Sequence, residues 1–364
     1  MVAEHFVSKL QLVAEGVAMV DQKVDRLRSD MEQRFDQVER RPLRLSSRAS
    51  RARRPMSDLI VQDAGPLTTI QDLGRFGHLR VGIPTSGPMD HDAFLLANRL
   101  VGNPDTAAAL ECTLIGPRVE FTDERLIAIT GADMAPTLNG SAAPAWQGLR
   151  VKAGDVLRLG PAKSGVRAYL AVAGGIETPP VLGSRSTYVR GRLGGFEGRA
   201  LRRGDRLPLG SAPAARPRRV HPDRVPAYGG NATVAVVLGP QDDRFTAVGI
   251  AAFLEGPYEM LPQSDRMGAR LKGPFIEHTR GHDIVSDGIA MGAIQVIGEG
   301  QPIVLLADRQ SAGGYTKIGT VCSFDIGRIA QVKPGGRLRF HRVTVAEAHA
   351  MLRDRRRALD GTVE

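Results

Sequence analysis

The chain has 364 residues, 42% of them hydrophobic, enough for about two domains with real cores. No apolar run reaches the roughly 18 to 20 residues of a membrane span, the N-terminus lacks a signal-like apolar stretch, and Cys112 and Cys322 stand alone, so a membrane protein, a disulfide framework and a structural zinc site are not expected and a reducing, cytoplasmic setting is. Of the net charge of +10, residues 1–57 and 202–224 together carry nine, which leaves the folded body near neutral and argues against a nucleic-acid surface.

Leu10, Val13, Val17, Val20, Val24, Leu27 and Met31 recur at alternating spacings of three and four, the pattern of a heptad stripe. The spacing predicts an amphipathic or coiled-coil helix over residues 1–39 and permits helix-mediated self-association through residues 10–38. The Arg-, Ser- and Pro-rich stretch that follows predicts a basic flexible tether over 40–57.

From Leu59 the texture changes to short β-prone runs, among them "RLIAIT", "DVLRLG", "RAYLAVAG", "ATVAVVLG", "AIQVIG" and "PIVLLAD", separated by Gly and Pro turns. A mainly β protein follows, with one domain over 58–209, a linker over 210–226, a second domain over 227–345, and a C-terminal helix and tail over 346–364. The clearest internal helix is "MDHDAFLLANRLVG", with Asp90 as N-cap and Gly102 as stop.

Standard signatures are missing: the chain has no GxxxxGK[ST], HExxH or GxSxG. His278 and His282 have i, i+4 spacing, but Gly281 between them predicts a surface loop rather than a metal-binding helix face.

Four stretches are rich in turn formers and polar groups. "GPLTTIQDLGRFGHLRVGIPTSGPMDHDAF" joins a constrained loop to a helix N-terminus, a place that favours anions. "SDRMGARLKGP" sets Arg266 and Arg270 around a glycine, a spacing from which two guanidinium forks could meet a carboxylate or phosphate. "YLAVAGGIETPPVLGSRSTYVRGRLGG" carries the cluster Ser184, Arg185, Ser186 and Thr187. "VSDGIAMGAIQVIGEGQPIVLLADRQSAGGYTKIGTV" ends an apolar strand at Asp308, Arg309 and Gln310, just before a double glycine.

Taken in order over about residues 58–345, these blocks resemble the biotin-dependent carboxyltransferase family. That family includes the C subunit of 5-oxoprolinase, allophanate hydrolase subunit 2 and the antagonist of a sporulation kinase inhibitor. The resemblance implies two cyclophilin-like β-barrel domains. It also implies work with two 5-oxoprolinase partners, a B-like chain of the allophanate hydrolase subunit 1 type and an A-like chain, opening 5-oxoproline to L-glutamate with ATP bound by the complex. A carboxyltransferase component acting on urea or a related amide, and a regulatory antagonist that sequesters a kinase inhibitor, stay open as alternatives. No biotin-attachment "MKM" occurs, so biotin, if used, would sit on another chain.

Carried over residue by residue, the resemblance marks Arg75, Ser86, Gly87, Met89, Arg266, Arg270, Gln295, Gln310 and Tyr315 for substrate binding. Asp90, Asp308 and Lys317 are marked for catalysis: an aspartate to orient or deprotonate a substrate amide, and the lysine to meet oxyanion charge. The chain departs from the family pattern at Ala312, where a threonine is usual, and in its N-terminal helical segment.

Overall fold

The computed structural model describes residues 57–364; the helix expected over 1–39 and nearly all of the tether expected over 40–57 lie outside the described residues. The first half opens with β1 (Asp58–Asp63), β2 (Thr68–Gln71), α1 (His91–Leu100), β3 (Ala109–Thr113), β4 (Arg118–Phe121) and β5 (Arg125–Asp133). It continues through β6 (Thr137–Leu138), β7 (Ser141–Ala142), β8 (Gly148–Val151), β9 (Val156–Arg158), β10 (Ser164–Val172) and β11 (Arg206–Pro208). These strands form one sheet in the order β11-β1-β4-β9-β6-β7 and a second in the order β2-β3-β10-β5-β8.

Leu59, Val119, Phe121 and Leu157 of the first sheet meet Leu110, Ile127, Ile129 and Leu170 of the second in one core. The alternate residues of the second sheet, among them Leu126, Ala128, Tyr169 and Ala171, turn to the other side and pack with Phe94, Leu96 and Leu100 of α1. Both faces of that sheet are covered, which is why "RLIAIT" and "RAYLAVAG" read as nearly unbroken apolar runs rather than alternating ones. The expected cap also forms: the Asp90 carboxylate accepts the Ala93 N–H at 3.2 Å, opening the helix.

The second half comprises β12 (Asn231–Leu238), α2 (Ala247–Glu255), β13 (Tyr258–Met260), β14 (Gly268–Lys272), β15 (Asp283–Gly288), β16 (Ala293–Val296) and β17 (Pro302–Leu305). β18 (Ala312–Tyr315), β19 (Lys317–Val321), α3 (Ile326–Ala330), β20 (Arg337–Arg342) and α4 (Val345–Asp360) follow. A closed barrel runs β12-β19-β16-β17-β14-β13-β20, while β15 and β18 pair as a separate, largely exposed ribbon. Val234, Val236, Phe253, Ile294, Val304 and Phe340 fill the barrel core, and Met89 of the first half is buried among them.

Residues 210–226, expected as a linker, run across the first half with defined partners: Arg218 O accepts from Gly148 N–H at 2.7 Å, and Val220 N–H donates to Trp146 O at 2.8 Å. Helix α4 begins in a Thr344/Glu347 capping box and returns to the first half. There Arg355 reaches Asp92 at 2.7 Å and Arg99 reaches Asp360 at 3.1 Å. Both halves, residues 57–364, belong to one compact unit.

Candidate functional site

The loop between β2 and α1 is held at both ends. Asp72 accepts from Ser184 Oγ at 2.5 Å, Ser186 Oγ at 2.7 Å and the Arg185 N–H at 2.5 Å, which ties the loop to the 184–187 cluster. Gly74, at φ 97°, brings Thr85 O within 2.6 Å of where a Cβ would stand, so only glycine fits there. Arg75 N–H then donates to Thr85 O at 2.8 Å, and Ser86 N–H crosses to Ala307 O of the second half at 3.1 Å.

At that crossing lies a buried charged network. Arg266 Nε donates to Asp308 Oδ2 at 2.9 Å, Nη2 to Asp308 Oδ1 at 3.2 Å and to Gly87 O at 2.7 Å, and Nη1 to Glu111 Oε1 at 2.5 Å. Burial pulls Arg266 down, but Asp308 and Glu111 outweigh it and hold the guanidinium above its ordinary value. Glu111 Oε2 accepts from Met89 N–H at 2.8 Å and Tyr169 Oη at 2.8 Å. The β3–β10 register explains the second contact, since it sets Glu111 opposite Tyr169 on the sheet face that carries α1. Tyr169 Oη in turn accepts the Asp90 N–H at 2.7 Å.

Asp90 is fully engaged. Beyond its cap bond, Oδ2 accepts from Tyr228 Oη at 2.9 Å and Gln331 Nε2 at 2.9 Å. Gln331 also accepts the N–H groups of Val166 and Arg167, so it clamps β10 to α3. Burial raises the Asp90 pKa from its ordinary 3.8, with the three donors opposing. A raised acid keeps its proton in the folded state, so the stability this contributes is present below pH 3.8 and is lost as pH rises through the raised value. Asp90→Asn, which does not titrate, is therefore expected to gain relative to the wild type in urea midpoints as pH rises above the ordinary carboxylate value of 3.8; a gap independent of pH would contradict this.

The remaining marked residues gather at the ribbon or stand apart. Lys317, 2% exposed, pairs in register with Gln295 across β16 and β19, and its Nζ donates to Asp287 of the ribbon at 3.0 Å. Gly313 leaves room for two amides: Gln295 Nε2 lies 2.7 Å and Gln310 Nε2 3.6 Å from where its Cβ would be. Tyr315, on the ribbon, faces His282 at 5.9 Å between ring centroids, and His282 lies 6.3 Å from His278, which meets Thr316 Oγ1 at 3.0 Å.

The structure thus joins Ser86, Gly87, Met89, Asp90, Arg266 and Asp308 at the junction of the halves, with Arg75 beside them, and Gln295, Gln310, Tyr315 and Lys317 at the ribbon. Arg266 and Arg270 do not converge. Arg266 precedes β14 and turns inward, while Arg270 sits on an outward position of that strand. Sequence reading missed Glu111, Tyr169, Tyr228 and Gln331. The one signal was Glu111 itself, a carboxylate inside the apolar run "ALECT" whose residues through Cys112 are all buried.

The family model for the carboxyltransferase domain, subdomains A and B, matches residues 81–342. The chain is similar to the C subunit of 5-oxoprolinase from Escherichia coli, with 39% identity over 302 residues that cover 81% of this chain and 94% of that protein. It is similar to the Haemophilus influenzae protein of the same name at 34% identity over 300 residues, 82% of this chain and 96% of that one. Among solved structures, it is similar to the K. lactis urea amidolyase with a TM-score of 0.80 and 32% identity, over 83% of this chain but only 20% of that one.

Proposed function

The chain belongs to the carboxyltransferase family of subdomains A and B, and on that premise we propose that it is the C subunit of an ATP-dependent 5-oxoprolinase, opening 5-oxoproline to L-glutamate with a B-like and an A-like partner. One observation carries this reading. The match runs over 94% and 96% of the two 5-oxoprolinase relatives, whereas in the yeast urea amidolyases the matching region is 17% to 18% of a far longer chain.

In this reading ATP is bound by the complex, the complex is cytoplasmic, and water is added across the lactam C–N bond. No helix among the described residues is long and apolar enough to cross a membrane, and both cysteines are buried free thiols, with Cys112 pushed up to about 12 by burial. Asp308 is held by two Arg266 donors and so serves to orient a substrate amide rather than to move freely. Lys317, whose carboxylate partner Asp287 sits on the exposed ribbon, supplies a cation for the oxyanion that develops on the amide carbonyl.

The fold match to urea amidolyase supports a second reading, carboxyl transfer to urea from biotin carried on another chain. The chain purified with its B-like and A-like partners separates the two. ADP release stimulated by 5-oxoproline and not by urea is expected, and a stable complex that 5-oxoproline does not stimulate would contradict the first reading; release stimulated by urea only once a biotin-carrying carboxylase chain is added would favour the second.

A further inference from the structure

Most polar side chains buried by this fold have partners, and Arg75 stands out among those that do not. It is 1% exposed, yet Nε and Nη1 have no acceptor among the described residues, so at least three of the five N–H donors of its guanidinium go unused. Its acceptor is the Ser186 carbonyl, reached by Nη2. Asp72 lies close but spends its oxygens on Ser184, Ser186, Arg185 N–H and Gly74 N–H. Asp308 spends its oxygens on Arg266.

A second unpartnered buried atom belongs to the same loop. Ser86 Oγ has no partner among the described residues, and Ser86 is held at φ 53° by the crossing bond to Ala307 and by Arg75 N–H on the preceding carbonyl. The chain between these two residues runs along the surface, with Phe76 at 70% and Val81 at 63% exposure, so Arg75 lies beneath a surface loop rather than deep in a core. A desolvated guanidinium with two nitrogens lacking acceptors is unfavourable, and burial pushes Arg75 below its ordinary value against the pull of Asp72 and Asp308.

We propose that Arg75, together with Ser86 of the same loop, anchors the carboxylate of a small anionic ligand. Resting on the 5-oxoprolinase reading, this anchor holds the ring carboxylate of 5-oxoproline and discriminates against neutral urea. The charged neighbours of Arg75 are both acidic and repel a dianion more than a monoanion, which disfavours phosphate. A planar carboxylate also matches the guanidinium fork.

The test is calorimetric binding to the full chain in its complex, with 5-oxoproline, with 2-pyrrolidinone (the same lactam without the carboxylate) and with inorganic phosphate. At least tenfold tighter binding of 5-oxoproline than of either other probe is expected, as is a loss of at least tenfold in Arg75→Gln. Arg75→Lys keeps the charge without the fork; it is expected to fold as the wild type does in a melting curve and to show an intermediate loss, so a poorly folding glutamine variant does not end the test. Equal binding of 2-pyrrolidinone, or displacement by equimolar phosphate, would overturn the proposal. So would unchanged binding and KM in both variants while 5-oxoproline still drives ADP release, a result that leaves the 5-oxoprolinase reading intact. Arg75-dependent binding without ADP release would support the anchor and overturn that reading instead.

Discussion

Arg266→Met is expected to destabilise the protein by about 3–5 kcal/mol, the largest effect of any single substitution considered. The guanidinium is 6% exposed and gives four hydrogen bonds, two to Asp308 and one each to Glu111 and Gly87 O. Removing it strands two buried carboxylates and a buried carbonyl, and methionine, of similar length, fills space without supplying a donor. Arg270→Met is the control, since that side chain is exposed on β14 and should change stability by no more than about 0.5 kcal/mol. Urea unfolding of the two variants side by side decides it, and similar losses would contradict the network as described.

Met89→Ala is expected to cost about 2–5 kcal/mol. Met89 is 1% exposed and packs in the barrel core of the second half, although it belongs to the loop of the first. The chain's single tryptophan, Trp146, packs on the α1 side of the first half, far along the chain from the barrel strands. Because the described residues form one unit, Trp146 fluorescence and far-ultraviolet dichroism should report one transition, shifted together to lower urea. Two separated transitions would show that Met89 does not join the halves, and a change confined to KM with stability intact would show that it lines a ligand site instead.

The fold was legible where burial leaves a pattern in the chain. All six apolar runs picked out in the sequence fall on β5, β9, β10, β12, β16 and β17, and α1 begins at the Asp90 cap. The ordered path of residues 210–226 was not legible, because its partners Trp146 and Gly148, and the C-terminal Glu364 that pairs with Arg219, are remote in sequence and local composition alone suggests a linker. The same limit hid most of the junction. Arg266, Asp308 and Asp90 lie in conspicuous turn-rich stretches, but Glu111 and Tyr169 sit inside strands, and only the β3–β10 register brings them face to face. Gln331 clamps the halves from the end of α3, a role for which its short flanking sequence carries no mark.

The proposed role makes this chain a working component of 5-oxoprolinase. Glutamate formed from 5-oxoproline and ATP by the B-like and A-like chains, measured with and without this chain at equal concentrations, tests it most directly. Glutamate in step with ADP is expected when all chains are present and only background when this one is omitted; equal glutamate in its absence would overturn the proposed role.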